Sequence, residues 1–184
     1  TTIGSIIKGT GNAGDSIINA NSVSLQNSSF LTRTESNSDG GNVLVNVTDN
    51  IFIDNGGLNS NSIGSGNAGN IIVNSGSLIL ENHSTITANA NKLNSQANAG
   101  NIDINADSIL LLSSTIAATA NRGNAGEVLL EANYITFKNN SNIDTNTRDN
   151  SIGNGGKIEV IANSTLFQNE PDFNPKNNSN KILN

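Results

Sequence analysis

One phrase recurs along the chain and constrains every fold open to it. Gly-Asn-Ala-Gly stands at 11–14, 66–69 and 123–126. Asn98-Ala99-Gly100 is a shortened copy, and Asp39-Gly40-Gly41 and Gly153-Asn154-Gly155-Gly156 are degenerate ones. The closing glycines fall at 14, 41, 69, 100, 126 and 156, so the steps are 27, 28, 31, 26 and 30 residues. A period in this range marks a chain that stacks like units on one another. Composition agrees. Aromatics are 3%, charged residues 13%, and Cys, Met and Trp are absent. That is too little for an ordinary globular core, yet enough for a solenoid in which each unit is buried by its neighbours.

The residues after each anchor glycine align. Two and four positions on lie Ser16/Ile18, Val43/Val45, Ile71/Val73, Ile102/Ile104, Val128/Leu130 and Ile158/Val160. Nine and eleven on lie Val23/Leu25, Leu78/Leu80, Ile109/Leu111, Ile135/Phe137 and Thr165/Phe167, with Ile51/Ile53 after a one-residue insertion. Seventeen on lie Leu31, Leu58, Ile86 and Ile143, with Ile116 after a one-residue deletion. Spacing of two is the strand period, and β-branched residues favour strands. Each repeat thus predicts three short strands. They are too short to stand alone, so they must pair in parallel with the same strand of the next repeat. The expected fold is a right-handed parallel β-helix of about six three-strand coils, with three sheets around a narrow aliphatic core. At about 4.8 Å per coil it is a rod about 29 Å long.

The repeats occupy 1–169 of a chain that opens mid-pattern and reads as a fragment of a longer one. Residues 170–184 hold both prolines, Pro171 and Pro175, and read as a polar linker or a strap over the end of the stack.

The phrase Gly-Asn-Ala-Gly-x-Ile-x-Ile/Val-Asn is followed by Ser-x-x-Leu-type strands and Asn-x-Ser-x-Ile. It is clearest from Gly69 to Ala88, with Asn82-His83-Ser84-Thr85-Ile86. It resembles the repeats of filamentous-haemagglutinin-like exoproteins, in the Asn-rich style found in cyanobacteria, over about residues 9–169. The resemblance implies secretion through the outer membrane by a two-partner system, an extracellular or cell-surface location, and a role in adhesion or surface structure.

Several chemistries can be weighed against the residues. Net charge is −6, and Lys8, Arg33, Lys92 and Arg122 are scattered singly, so nucleic acid is not an expected partner. No apolar run is long enough for a membrane span. Gly9–Gly14 and Gly64–Gly69 both read G-x-G-x-x-G, but each precedes a strand instead of opening a helix, which a dinucleotide site requires. Calcium repeats need an Asp after the glycines, and Gly40-Gly41-Asn42 and Gly155-Gly156-Lys157 lack it. His83 is the sole histidine, so no metal centre or triad is expected. Asp103 and Glu159 share one column two coils, about 10 Å, apart, too far for a retaining glycosidase pair. No catalytic residue, cofactor or metal is assigned.

Two features remain. Asn27, Asn55, Asn82, Asn139 and Asn169 share one turn position and predict an amide ladder along the rod. A second Asn column, Asn19, Asn46, Asn74 and Asn105, ends the first strand. The outward positions of the first strand carry Ile17, Leu44, Ile72 and Leu129, and those of the second carry Phe52, Ile79, Leu110 and Leu166. Apolar stripes on an outer face suit contact with a partner. The expected function is a non-catalytic rod that meets other surface proteins, glycans or copies of itself. The alternatives are a carbohydrate-active enzyme on the same fold and an ice-binding solenoid, which needs a regular Thr array. Thr10, Thr32, Thr85, Thr87, Thr119 and Thr145 give no single column.

Overall fold

The structure, a computed structural model, describes residues 1–148 and 151–168 in full and 181–183 by backbone alone. Among the described residues every regular element is a strand and every strand pair is parallel. The chain is a β-solenoid whose coils follow the anchor glycines.

The first strands are β2 (Ser16–Ala20) and β5 (Val43–Val47), and the second strands of the same coils are β3 (Val23–Gln26) and β6 (Asn50–Asp54). In later coils the two merge into one bent strand: β8 (Ile71–Glu81), β10 (Ile102–Leu112), β12 (Val128–Lys138) and β14 (Ile158–Gln168). Third strands are β4 (Ser29–Thr34), β7 (Gly57–Ser62), β9 (Thr85–Thr87), β11 (Thr115–Ala117) and β13 (Asn142–Asp144). They stack on β1 (Thr2–Ile7), a strand that precedes the first anchor and that the repeat pattern does not foretell.

The expected three sheets are therefore two. One joins the third strands; the other bends around the corner between first and second strands. That corner stays within the ladder where Ser75, Ala106, Ala132 and Ala162 turn inward. It breaks in the first two coils because the second carries the extra residue between Val47 and Ile51. Even there Thr48 and Asp49 donate their N–H groups to Ala20 and Asn21.

Register follows the alignment. Ser16, Val43, Ile71, Ile102, Val128 and Ile158 lie one above another. So do Val23, Ile51, Leu78, Ile109, Ile135 and Thr165. Their inward faces make the main core, in which Ile53, Leu80, Leu111 and Phe137 are fully buried. Phe137 stacks on Phe167 with ring centroids 5.0 Å apart.

The third strand needs one correction. Phe30, not Leu31, lies in register with Leu58, Ile86, Ile116 and Ile143, and Phe30 is buried while Leu31 is half-exposed. Corner length decides this. In the third and fifth coils two residues take left-handed φ, Asn82-His83 and Asn139-Asn140. In the first, second and fourth only one does: Asn27, Asn55 and Ser113. The shorter corner moves the inward position back by one residue, and a slip of one reverses the faces of a strand.

β15 (Lys181–Leu183) pairs in parallel with β14, setting Ile182 over Val160. The remainder of 170–184 lies outside the described residues.

Candidate functional site

The recurring phrase holds the coils together at their closest approach. A Cβ on Gly69, Gly100 or Gly126 would sit 2.1, 2.0 or 1.9 Å from the carbonyl oxygen of the preceding anchor glycine. Only a residue without a side chain fits that column. Positive φ is not the reason there: among the phrase's glycines it occurs at Gly11 alone.

The asparagines beside the anchors serve the backbone. Two residues before each anchor, Asn12, Asp39, Asn67, Asn98 and Asn124 each accept, at 2.8–3.2 Å through Oδ1, the N–H of the equivalent residue one coil later. One residue after the anchor, Asp15, Asn42, Asn70 and Asn101 do the same at 2.7–2.9 Å. These donors lie where no strand partner exists, and leaving them unmet would be costly. Sequence reasoning gave these asparagines no role. The signal was present, in their fixed offsets of −2 and +1 from each glycine.

The expected amide ladder at the second corner is only partly formed. Asn55 donates from Nδ2 to Asn27 Oδ1 at 2.7 Å, but Asn82 turns to Asp54 Oδ1 at 2.8 Å. Ser113 replaces Asn in the fourth coil, and Asn169 lies outside the described residues. The column is Asn-rich because each member takes left-handed φ, 48–54° at Asn27, Asn55, Asn82 and Asn139. Asn tolerates this best among non-glycine residues. Cleaner amide rungs occur at the end of the first strand, where Asn46 donates to Asn19 and Asn74 to Asn46, at 3.0 and 2.9 Å.

That column forms one wall of an open groove. The corner residues beneath are small except for Val47, and the bend between first and second strands is concave outside. One section, about 650 Å³, lies between Asn19, Asn46, Asn74 and Asn105 on one wall and Asn21, Thr48 and Asp107 on the other. A second, about 420 Å³, continues past Asp107, Glu131, Asn133 and Asn163. The polar side chains on both walls are exposed. Asn163 donates to Asn133 at 2.9 Å.

The two apolar stripes flank this groove. Ile17, Leu44 and Ile72 are in register, followed by Asp103, Leu129 and Glu159. Phe52, Ile79 and Leu110 are in register on the second strands, followed by Thr136 and Leu166. Ile17, Ile72 and Leu166 are exposed, and Leu44, Leu129, Phe52, Ile79 and Leu110 are half-buried.

Leu129 separates Asp103 from Glu159, and Glu159 accepts from Lys157 at 2.5 Å. Lys157 is half-exposed, and its pKa is raised above the usual lysine value, chiefly by that hydrogen bond. His83 is exposed at the corner, donating its N–H to the Ser113 carbonyl. Among the described residues no three His, Asp or Glu side chains gather as a metal site, and no helix is long and apolar enough to cross a membrane. Neither G-x-G-x-x-G string opens a helix. Thr32 and Thr145 are buried with their hydroxyls on the carbonyls of Gly41 and Gly156, so they present nothing outward.

No family model, curated protein or solved structure matches the chain.

Proposed function

We propose that the chain is a non-catalytic segment of a secreted or cell-surface rod that uses its outer faces for adhesion and protein contact. The observation that carries this is the pair of apolar stripes, aligned over successive coils and left on the outside of an interior that is already filled. Such contiguous apolar surface is unfavourable in water unless something covers it. The occupant that fits first is a like chain, whose stripe has the same coil spacing. The resemblance to filamentous-haemagglutinin-like repeats supports the surface location and two-partner export. Replacing Ile72 and Ile79 together by Lys tests the stripes. Sedimentation should show self-association in the parent and its loss in the variant; unchanged association would count against the reading.

A carbohydrate-active enzyme is the second reading, favoured by one observation: Asp107 and Glu131 line the same groove section. Release of shorter sugars from a polysaccharide, abolished by Glu131→Gln, would establish it.

A further inference from the structure

We propose that the groove along the corner between first and second strands binds an extended, uncharged polysaccharide chain. The site differs from the apolar stripes and does not depend on them.

Shape gives the first reason. The groove follows columns that are in register from coil to coil, so it runs along the rod. A β-1,4-linked sugar chain is extended in the same direction, and each ring advances it by about 5 Å, close to the coil height of about 4.8 Å. Over the first four coils successive sugars therefore meet successive asparagines, Asn19, Asn46, Asn74 and Asn105.

The wall chemistry gives the second. An amide carries two donors and two acceptor positions. The rungs Asn46 to Asn19 and Asn74 to Asn46 use one donor and one acceptor position per contact, and the side chains stay exposed. Donors and acceptors thus remain for sugar hydroxyls. The rung pattern stops before Asn105, whose amide makes no hydrogen bond among the described residues, and Asp107 faces the same space. Carboxylates accept strongly from hydroxyls and repel uronates, which selects a neutral glycan.

The third reason is Tyr134. It is the single tyrosine of the chain, it follows the wall residue Asn133 in sequence just outside the residues that line the groove, and it is 64% exposed. Other coils place Ser77, Ser108 and Ser164 at its register position. An exposed aromatic face beside a row of amides is suited to stack on the C–H face of a sugar.

The test is calorimetric titration of the whole chain with a β-1,4-linked hexaglucoside, beside an oligogalacturonate of equal length. The hexaglucoside should bind and the uronate should not. Asn105→Ala and Tyr134→Ala should each weaken binding by roughly tenfold, the effect of about one lost hydrogen bond or ring contact. Asp107→Arg, which fills the groove, should abolish it. All three positions are exposed, and unchanged circular dichroism and melting would show intact coils. The Ile72/Ile79→Lys variant should bind as the parent does. No binding of the hexaglucoside, equal binding of the uronate, or undiminished binding by all three variants would overturn the proposal. Binding followed by cleavage would uphold the site and overturn the non-catalytic function proposed above.

Discussion

Leu25 and Leu111 hold the same place in the first and fourth coils, yet Leu111 is fully buried and Leu25 is half-exposed. Gly14 and Gly100 differ in the same way. A Cβ on Gly14 meets nothing within 4 Å, whereas one on Gly100 runs into the Gly69 carbonyl. Like residues in like coils thus have unlike environments. Burial here is a property of the interface between coils, not of the coil, which is the energetic structure of a one-dimensional stack.

The anchor glycines can break this comparison most sharply. Gly100→Ala should cost at least about 4 kcal/mol, since backbone must move to admit the methyl group. Gly14→Ala should stay within about 0.5 kcal/mol. Urea denaturation of both variants decides, and equal costs would mean that crowding between coils does not set the requirement. The leucines come next. Leu111→Ala is expected to lose about 3 kcal/mol through transfer and cavity terms. Leu25→Ala should lose about 1 kcal/mol, because much of that side chain is already in water. The smallest effect sharpens the picture from the other side. Ser75 Oγ is enclosed at the corner without a partner, where Ala106, Ala132 and Ala162 carry no polar atom. Ser75→Ala should stabilise by about 1 kcal/mol, read as a rise in melting temperature.

Most of the fold was legible because three independent rows of apolar residues share one period. The inward columns of the first and second strands could be aligned from the anchors alone, and the insertion before Ile51 was visible as a broken offset. Leu31 was misassigned because corner length depends on how many residues adopt left-handed φ, and Asn27-Ser28 looks much like Asn82-His83 in sequence. β1 escaped notice because no anchor precedes Ile3 and Ile6. The groove was illegible for another reason. Its floor of Ala20, Val47, Ser75, Ala106, Ala132 and Ala162 is unremarkable in any one repeat and becomes concave only when coils stack. The stripes, by contrast, follow from alternation: Ile17, Ile72 and Leu166 are exposed, and the other five members are half-buried.

The rungs beside the anchors all run one way. From Asn12 to Asn124, the later coil gives the proton and the earlier coil receives it. A stack assembled from such steps has a compass bearing. Turning it end for end does not reproduce it, so the two poles of the rod cannot substitute for each other. Chains joined along this axis would have to follow one another like arrows in a quiver, all points forward.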